Sequence, residues 1–120
     1  MDKKIYDSER KILEIIWQHK EISAKEIALI AANEISWSKT TTYTVIKKCV
    51  DKGLVEKSMP HFICRALVTK EEVQEFETNE LIDKAYDGNA DQLLVALLDN
   101  KKLSPETLRE LRELILREGE

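Results

Sequence analysis

A chain of 120 residues makes one domain, or one small domain with an extension, and its size limits the core it can bury. With 42% hydrophobic and 35% charged residues, but only three glycines and two prolines, the composition excludes a disordered chain and favours a soluble, helix-rich one. The net charge of −4 argues as a whole against nucleic acid, yet residues 1–69 hold 12 Lys/Arg against 9 Asp/Glu and residues 70–120 hold 7 against 14.

The opening MDKKIYDSERK has no apolar block of the signal-peptide kind, so a cytoplasmic protein is expected. Asp7 or Ser8 opens a first helix whose apolar stripe is Ile12, Leu13, Ile16 and Trp17, widened by Ile15, and which ends near His19-Lys20. Trp17 should lock this helix against its neighbours. Ile22 precedes SAKE, a capping-box pattern in which Ser23 and Glu26 can each satisfy a free amide, and Ile22 can staple onto Ile27. Helix two then runs from about Ala24 to Asn33, burying Ile27, Ala28, Ile30 and Ala31. Asn33 to Trp37 forms the turn, with Trp37 wedged against the core.

The stretch SKTTTYTVIKKCVDKG, Ser38 to Gly53, reads as helix three, capped by Ser38 and stopped at Gly53. Thr41, Val45, Cys49 and Lys52 fall along one stripe, with Ile46 and Val50 beside it. Thr40, Tyr43, Thr44, Lys47 and Lys48 fall largely on the remaining surface. Hydroxyls, a phenol and two ammoniums with almost no acid suit a nucleic-acid groove: the lysines neutralise phosphate, and the other groups reach phosphates or base edges. An ordinary solvated helix face is the plain alternative. Six basic and two acidic residues between Trp37 and Arg65 favour the groove.

Beyond Gly53, Leu54 to Lys57 and Phe62 to Val68 read as two short strands joined by the turn Ser58-Met59-Pro60-His61. Three helices and a hairpin describe a winged helix, in which the hairpin adds a backbone or minor-groove contact. Lys57, His61 and Arg65 are its candidate contacts. Cys49 and Cys64 read as small buried hydrophobes, since two cysteines make neither a disulfide framework nor a four-ligand metal site. His19 and His61 have no ligand-like spacing to them or to each other. No metal and no cofactor is expected.

Thr69 and Glu72 repeat the capping-box pattern at the start of a helix from Lys70 towards Gly88 that is acidic and sparse in apolar residues. Asn89 to Asp91 opens a short helix with the run Leu93 to Leu98, far too short to span a bilayer. Ser104-Pro105 starts the last helix, with Ser104 as cap and Pro105 at its first position. Leu93, Leu94, Leu97 and Leu98 form one apolar surface, and Leu108, Leu111, Leu114 and Ile115 a second. Some fifty residues cannot bury both alone, whereas two tails sharing one core can, so these eight residues are the candidate dimer interface. Docking back onto the first domain is the alternative.

At this length the chain resembles the penicillinase-repressor family, the winged-helix repressors of β-lactamase and methicillin-resistance operons, with copper-responsive relatives. The resemblance is carried by SERKILEIIW, ISAKEI, WSKTTTYTVIKKCVDKGLVE, LVTKEE and KAYDGNADQLLVALLDNKKLSPETLRELRELI, in that order and spacing. It implies a mainly α fold with a small β-hairpin, a winged helix-turn-helix over residues 1–69 followed by a helical dimerisation module over 70–120. It also implies a homodimeric transcriptional repressor bound to an inverted-repeat operator in double-stranded DNA. In such repressors the positions of Ser38, Thr41 and Thr44, with nearby basic residues, touch DNA, and Lys48 matches one of these. Thr40 and Tyr43 stand where members often carry lysine and arginine, which implies a different operator. An inducing protease is a further implied partner. The antibiotic-responsive repressors are cut at an Asn-Phe bond in the short tail helix, and the matching place here reads Ala96-Leu97. The copper-responsive relatives carry a C-terminal cysteine cluster, and LREGE has none.

Two other functions compete with a repressor. A winged-helix interaction adaptor without DNA binding is favoured by the net acidity and by the lack of basic residues at Thr40, Tyr43 and the turn. An enzyme is disfavoured because the chain has no phosphate loop, no metal-ligand spacing and no nucleophile–base pair.

Overall fold

In the computed structural model, which describes residues 4–119, the chain opens on helix α1 (Asp7–Trp17). Tyr6 is the N-cap, and its amide donates to Glu9 Oε1 at 2.8 Å. The helix stops at Trp17 rather than near His19-Lys20, because the backbone turns there and the His19 amide donates to Ile16 O. Strand β1 (Ile22–Ser23) follows, then α2 (Ala24–Ile35), α3 (Lys39–Asp51), β2 (Val55–Ser58), β3 (Ile63–Ala66) and α4 (Lys70–Ala85). Helices α5 (Ala90–Asp99) and α6 (Pro105–Glu118) complete the chain. The architecture is mainly α with a small sheet, a winged helix-turn-helix followed by a helical module.

Strand β1 is an addition to the expected hairpin. The sheet order is β1-β3-β2, antiparallel throughout, with Ile22 opposite Cys64 and Lys57 opposite Cys64 on the other side. Two residues carry no readable alternation, and Ser23 serves at the same time as the cap of α2, accepting from Glu26 N at 3.1 Å. Helix α2 continues to Ile35 instead of ending at Asn33. Ser36 at φ +56° supplies the left-handed stop that glycine or asparagine usually provides.

Residues up to Phe76 form one compact unit and those from Glu77 a second. The first unit holds the core: Ile12, Leu13 and Ile16 of α1 meet Ile27 and Ala31 of α2, Val45, Ile46 and Cys49 of α3, and Val55 and Cys64 of the sheet. Val73, in the first turn of α4, is buried in the same cluster. Trp17 is half-buried against it, and its indole N–H donates to Val68 O at 3.0 Å, tying α1 to the segment that enters α4. Trp37 is also half-buried there.

One threonine differs from the expected stripe. Thr42, not Thr41, lies inside with Val45, Ile46 and Cys49, and its hydroxyl donates to Ser38 O at 3.1 Å. That internal bond lets a hydroxyl sit among apolar neighbours without an unmet donor. Both thiols are buried, as free cysteines. Burial, and then the nearby Glu9 carboxylate, push Cys49 up to about 12, and burial pushes Cys64 up to about 11, so both stay protonated at neutral pH.

Glu9 is the one charged side chain in this core among the described residues, only 1% exposed. Its Oε1 also accepts from Lys52 Nζ at 2.8 Å, at the C-cap of α3. Lys52 donates further to Lys4 O at 2.9 Å and lies 4.5 Å from the Tyr6 ring centroid. The pair therefore joins the first turn of α1 to the end of α3.

In the second unit no described side chain is buried. Helix α4 ends through Asp87 and Gly88, both at positive φ, with the Gly88 amide donating to Ile82 O. Asn89 caps α5 by accepting from Gln92 N, and Ser104 caps α6 by accepting from Thr107 N at 3.1 Å. Pro105 opens α6, where its missing N–H costs nothing. Leu94 and Leu98 of α5 and Leu108, Leu111 and Ile115 of α6 line one apolar groove. Leu93, Leu97 and Leu111 are half-buried, while Leu94, Leu98, Leu108, Leu114 and Ile115 are exposed. No helix of the described residues is long and apolar enough to cross a membrane.

Candidate nucleic-acid interface

Helix α3 turns one polar face outward because its apolar residues recur at helical spacing and leave the remainder to solvent. Ser38, Thr40, Thr41, Thr44, Lys47 and Lys48 are all exposed, and Tyr43 is half-buried. Lys39, which the helical reading passed over, is exposed at the first position of the helix and lines an open hollow with Thr40, Tyr43, Thr44 and Lys47. Its place beside the Ser38 cap was the available signal: a cation at the start of a helix opposes the macrodipole and so calls for another reason to be there.

The hydroxyls differ in what they have left to offer. Ser38 Oγ accepts from Thr41 N at 3.1 Å and donates to Thr41 Oγ1 at 2.9 Å, so this pair is fixed by capping. Thr40 and Thr44 make no hydrogen bond through their side chains among the described residues. The lysines differ as well. Lys47 Nζ lies 3.0 Å from Asp51 Oδ2, an exposed pair that costs little to separate. Lys48 has no acidic partner among the described residues.

The hairpin meets α3 through an aromatic contact. Phe62 stands edge-on to Tyr43, with ring centroids 5.9 Å apart, and Lys57 Nζ lies 5.2 Å from the Phe62 centroid. Tyr43 and Lys57 are thus brought together, across a residue absent from the expected set. His61 is exposed in the turn. Arg65 is engaged elsewhere: its Nε donates to Glu21 Oε2 at 2.7 Å, which holds the guanidinium still more firmly protonated, and Glu56 lies opposite it in the sheet. Among the described residues no group of three or more His, Cys, Asp or Glu is placed to hold a metal ion.

The penicillinase repressor family model matches residues 5–117. The penicillinase repressor of Bacillus licheniformis is 23% identical over 113 residues, covering 92% of this chain and 88% of that protein. The methicillin resistance regulatory protein MecI of Mammaliicoccus sciuri is 27% identical over 120 residues, covering 96% of this chain and 98% of its own length. Among solved structures, the DNA binding domain of the repressor BlaI superposes with a TM-score of 0.54 at 22% identity, over 60% of this chain and 93% of that one. The monomeric form of Bacillus licheniformis BlaI in complex with the blaP half-operator gives 0.52 at 22% identity, over 60% of this chain and 90% of that one. At that identity the two structures speak for the fold, while the family match extends through α5 and into α6. The chain belongs to the penicillinase repressor family.

Proposed function

We propose that this protein is a homodimeric transcriptional repressor that binds an inverted-repeat operator in double-stranded DNA. The observation that carries the reading is the outward face of α3, where hydroxyls and lysines stand clear of the core in a chain of this family. Residues 1–69 are the DNA-binding part and 70–120 the dimerisation part. Ser38, Thr40, Thr41, Tyr43, Thr44, Lys47 and Lys48 face the duplex from α3, and Lys57, His61 and Arg65 from the hairpin. Arg65 exchanges its bond to Glu21 for a phosphate. The two-fold arrangement sets the two α3 helices about 34–36 Å apart, one turn of DNA. Leu93, Leu94, Leu97, Leu98, Leu108, Leu111, Leu114 and Ile115 form the shared core.

Fluorescence anisotropy on duplexes from the DNA flanking the chain's own gene tests the reading. Converting both Lys47 and Lys48 to alanine should weaken binding to every sequence and flatten the log–log salt dependence by roughly two units, since each lost phosphate contact removes about one released counterion. An unchanged affinity and slope would refute their assignment to phosphates. A wild-type chain that binds no duplex at any salt favours the adaptor instead, a reading supported by the pairing of Lys47 with Asp51 and Arg65 with Glu21.

Release from DNA is expected to act on the dimer module, by a protease cutting within α5 between Leu93 and Asp99. Such a cut separates α6 from the winged helix and unlinks the two half-sites. Immunoblotting of induced cells decides this: derepression with the chain still full length rules proteolysis out.

A further inference from the structure

Phe62 is an unusual residue for its place. Its backbone has φ +51°, a left-handed conformation that bulky side chains seldom adopt and that persists only where the surroundings impose it. Its carbonyl accepts from the Ala24 amide at 2.9 Å, which pins the hairpin turn to the first residue of α2. Its ring meets Tyr43 of α3 at an interplanar angle of 84°, the edge-to-face arrangement that aromatic quadrupoles favour. Lys39 Nζ lies 5.9 Å from the Tyr43 centroid, a second restraint on that ring. The Tyr43 hydroxyl makes no hydrogen bond to any described residue.

We propose that Phe62 is a positioning residue for sequence readout, holding the Tyr43 phenol as a fixed hydrogen-bond donor to an acceptor on a base edge in the major groove. The acceptor class is a purine N7 or a base carbonyl oxygen. The proposal rests on the DNA-binding reading above and deepens it. Phosphate recognition needs reach and charge, which the exposed Lys47 and Lys48 of α3 supply. Base recognition needs a donor held at one angle, because a hydrogen bond weakens steeply as it bends. Tyr43 meets that need: a ring restrained by Phe62 and Lys39, with a hydroxyl left for a ligand. The left-handed turn at Phe62 is what brings a hairpin side chain against the face of α3.

The test measures the ratio of operator affinity to scrambled-duplex affinity for the full-length protein and four variants. Phe62→Gly suits a positive φ and keeps the turn while removing the ring, and Phe62→Tyr keeps a ring. Tyr43→Phe removes only the hydroxyl, and the fourth variant combines Tyr43→Phe with Phe62→Gly. Thermal melting of each checks that the fold persists. Tyr43→Phe and Phe62→Gly should each lower the ratio roughly fivefold or more, a fraction of what one good base contact is worth. Phe62→Tyr should keep the parent's ratio, and the combined variant should fall no further than Tyr43→Phe alone. Equal losses on both duplexes in Phe62→Gly, or fully additive losses in the combined variant, would overturn the positioning role while leaving DNA binding intact. A wild-type chain with no affinity for either duplex would overturn both.

Discussion

Leu111→Asp is expected to split the proposed dimer and to lower operator affinity by about a hundredfold or more, while the winged helix stays folded. Leu111 lies in the apolar groove between α5 and α6 with Leu94, Leu98, Leu108 and Ile115, and no described side chain of that unit is buried within a single chain. Apolar surface left in that state on a soluble protein marks an interface, and a second copy of the same tail covers it with the same leucines. A charge placed there has no partner, and its desolvation opposes association. Once the chains part, the second half-site contact loses its millimolar effective concentration, and this sets the size of the affinity loss. Ile115→Asp is the companion change. Ile115 is 64% exposed in the single chain, so an aspartate costs an isolated tail little and acts chiefly on association. Sedimentation velocity at micromolar concentration reads both variants against the unmodified protein. A single-chain mass for the unmodified protein would end the shared-core proposal and the expectation of a palindromic operator with it.

Lys52→Met should destabilise the first unit by about 3 kcal/mol. Among the described residues, the change removes the one cation bonded to Glu9, whose carboxylate is only 1% exposed and would be left buried with the Tyr6 amide as its donor there. Lys52 is itself 22% exposed at its side chain, so water relieves part of the loss and the lower end of the usual range applies. For a unit of this size such a loss lowers the melting temperature by roughly 12–24 °C. Combining it with Glu9→Gln should recover a good part, because the amide oxygen still accepts from Tyr6 N while no charge is buried. Thermal unfolding followed by circular dichroism checks both. A Lys52→Met chain that melts with the parent would show that the pair is not a clamp between α1 and α3.

Much of the fold was legible because it rests on local rules. Ser23, Ser38 and Ser104 each cap the helix they were expected to cap, since a short oxygen-bearing side chain ahead of an apolar period satisfies the free amides behind it. Gly53 at φ +76° ends the α3 region as anticipated. The apolar stripes of α1 and α2 point into one core, because 3.6-residue periodicity is a property of the chain itself. The polar face of α3 could be named for the same reason.

Tertiary structure decided what sequence spacing could not. Thr41 and Thr42 are adjacent hydroxyls of equal polarity, and only the packing of α3 on α1 and α2 puts Thr42 inside and leaves Thr41 at the cap. Glu9 stands beside Asp7 as a second acid in the first turn of α1. Its buried carboxylate is paired with Lys52, 43 residues away in the chain. Strand β1 exists because β3 passes beside Ile22 and Ser23, not because those two residues prefer a strand. Phe62 read as the first residue of a strand, and its left-handed backbone and its contact with Tyr43 arise from closing the hairpin onto α2 and α3. Capping and amphipathic period are local and were written in the sequence. Ion pairing, strand pairing and aromatic contact join residues far apart in the chain, and only folding brings them together.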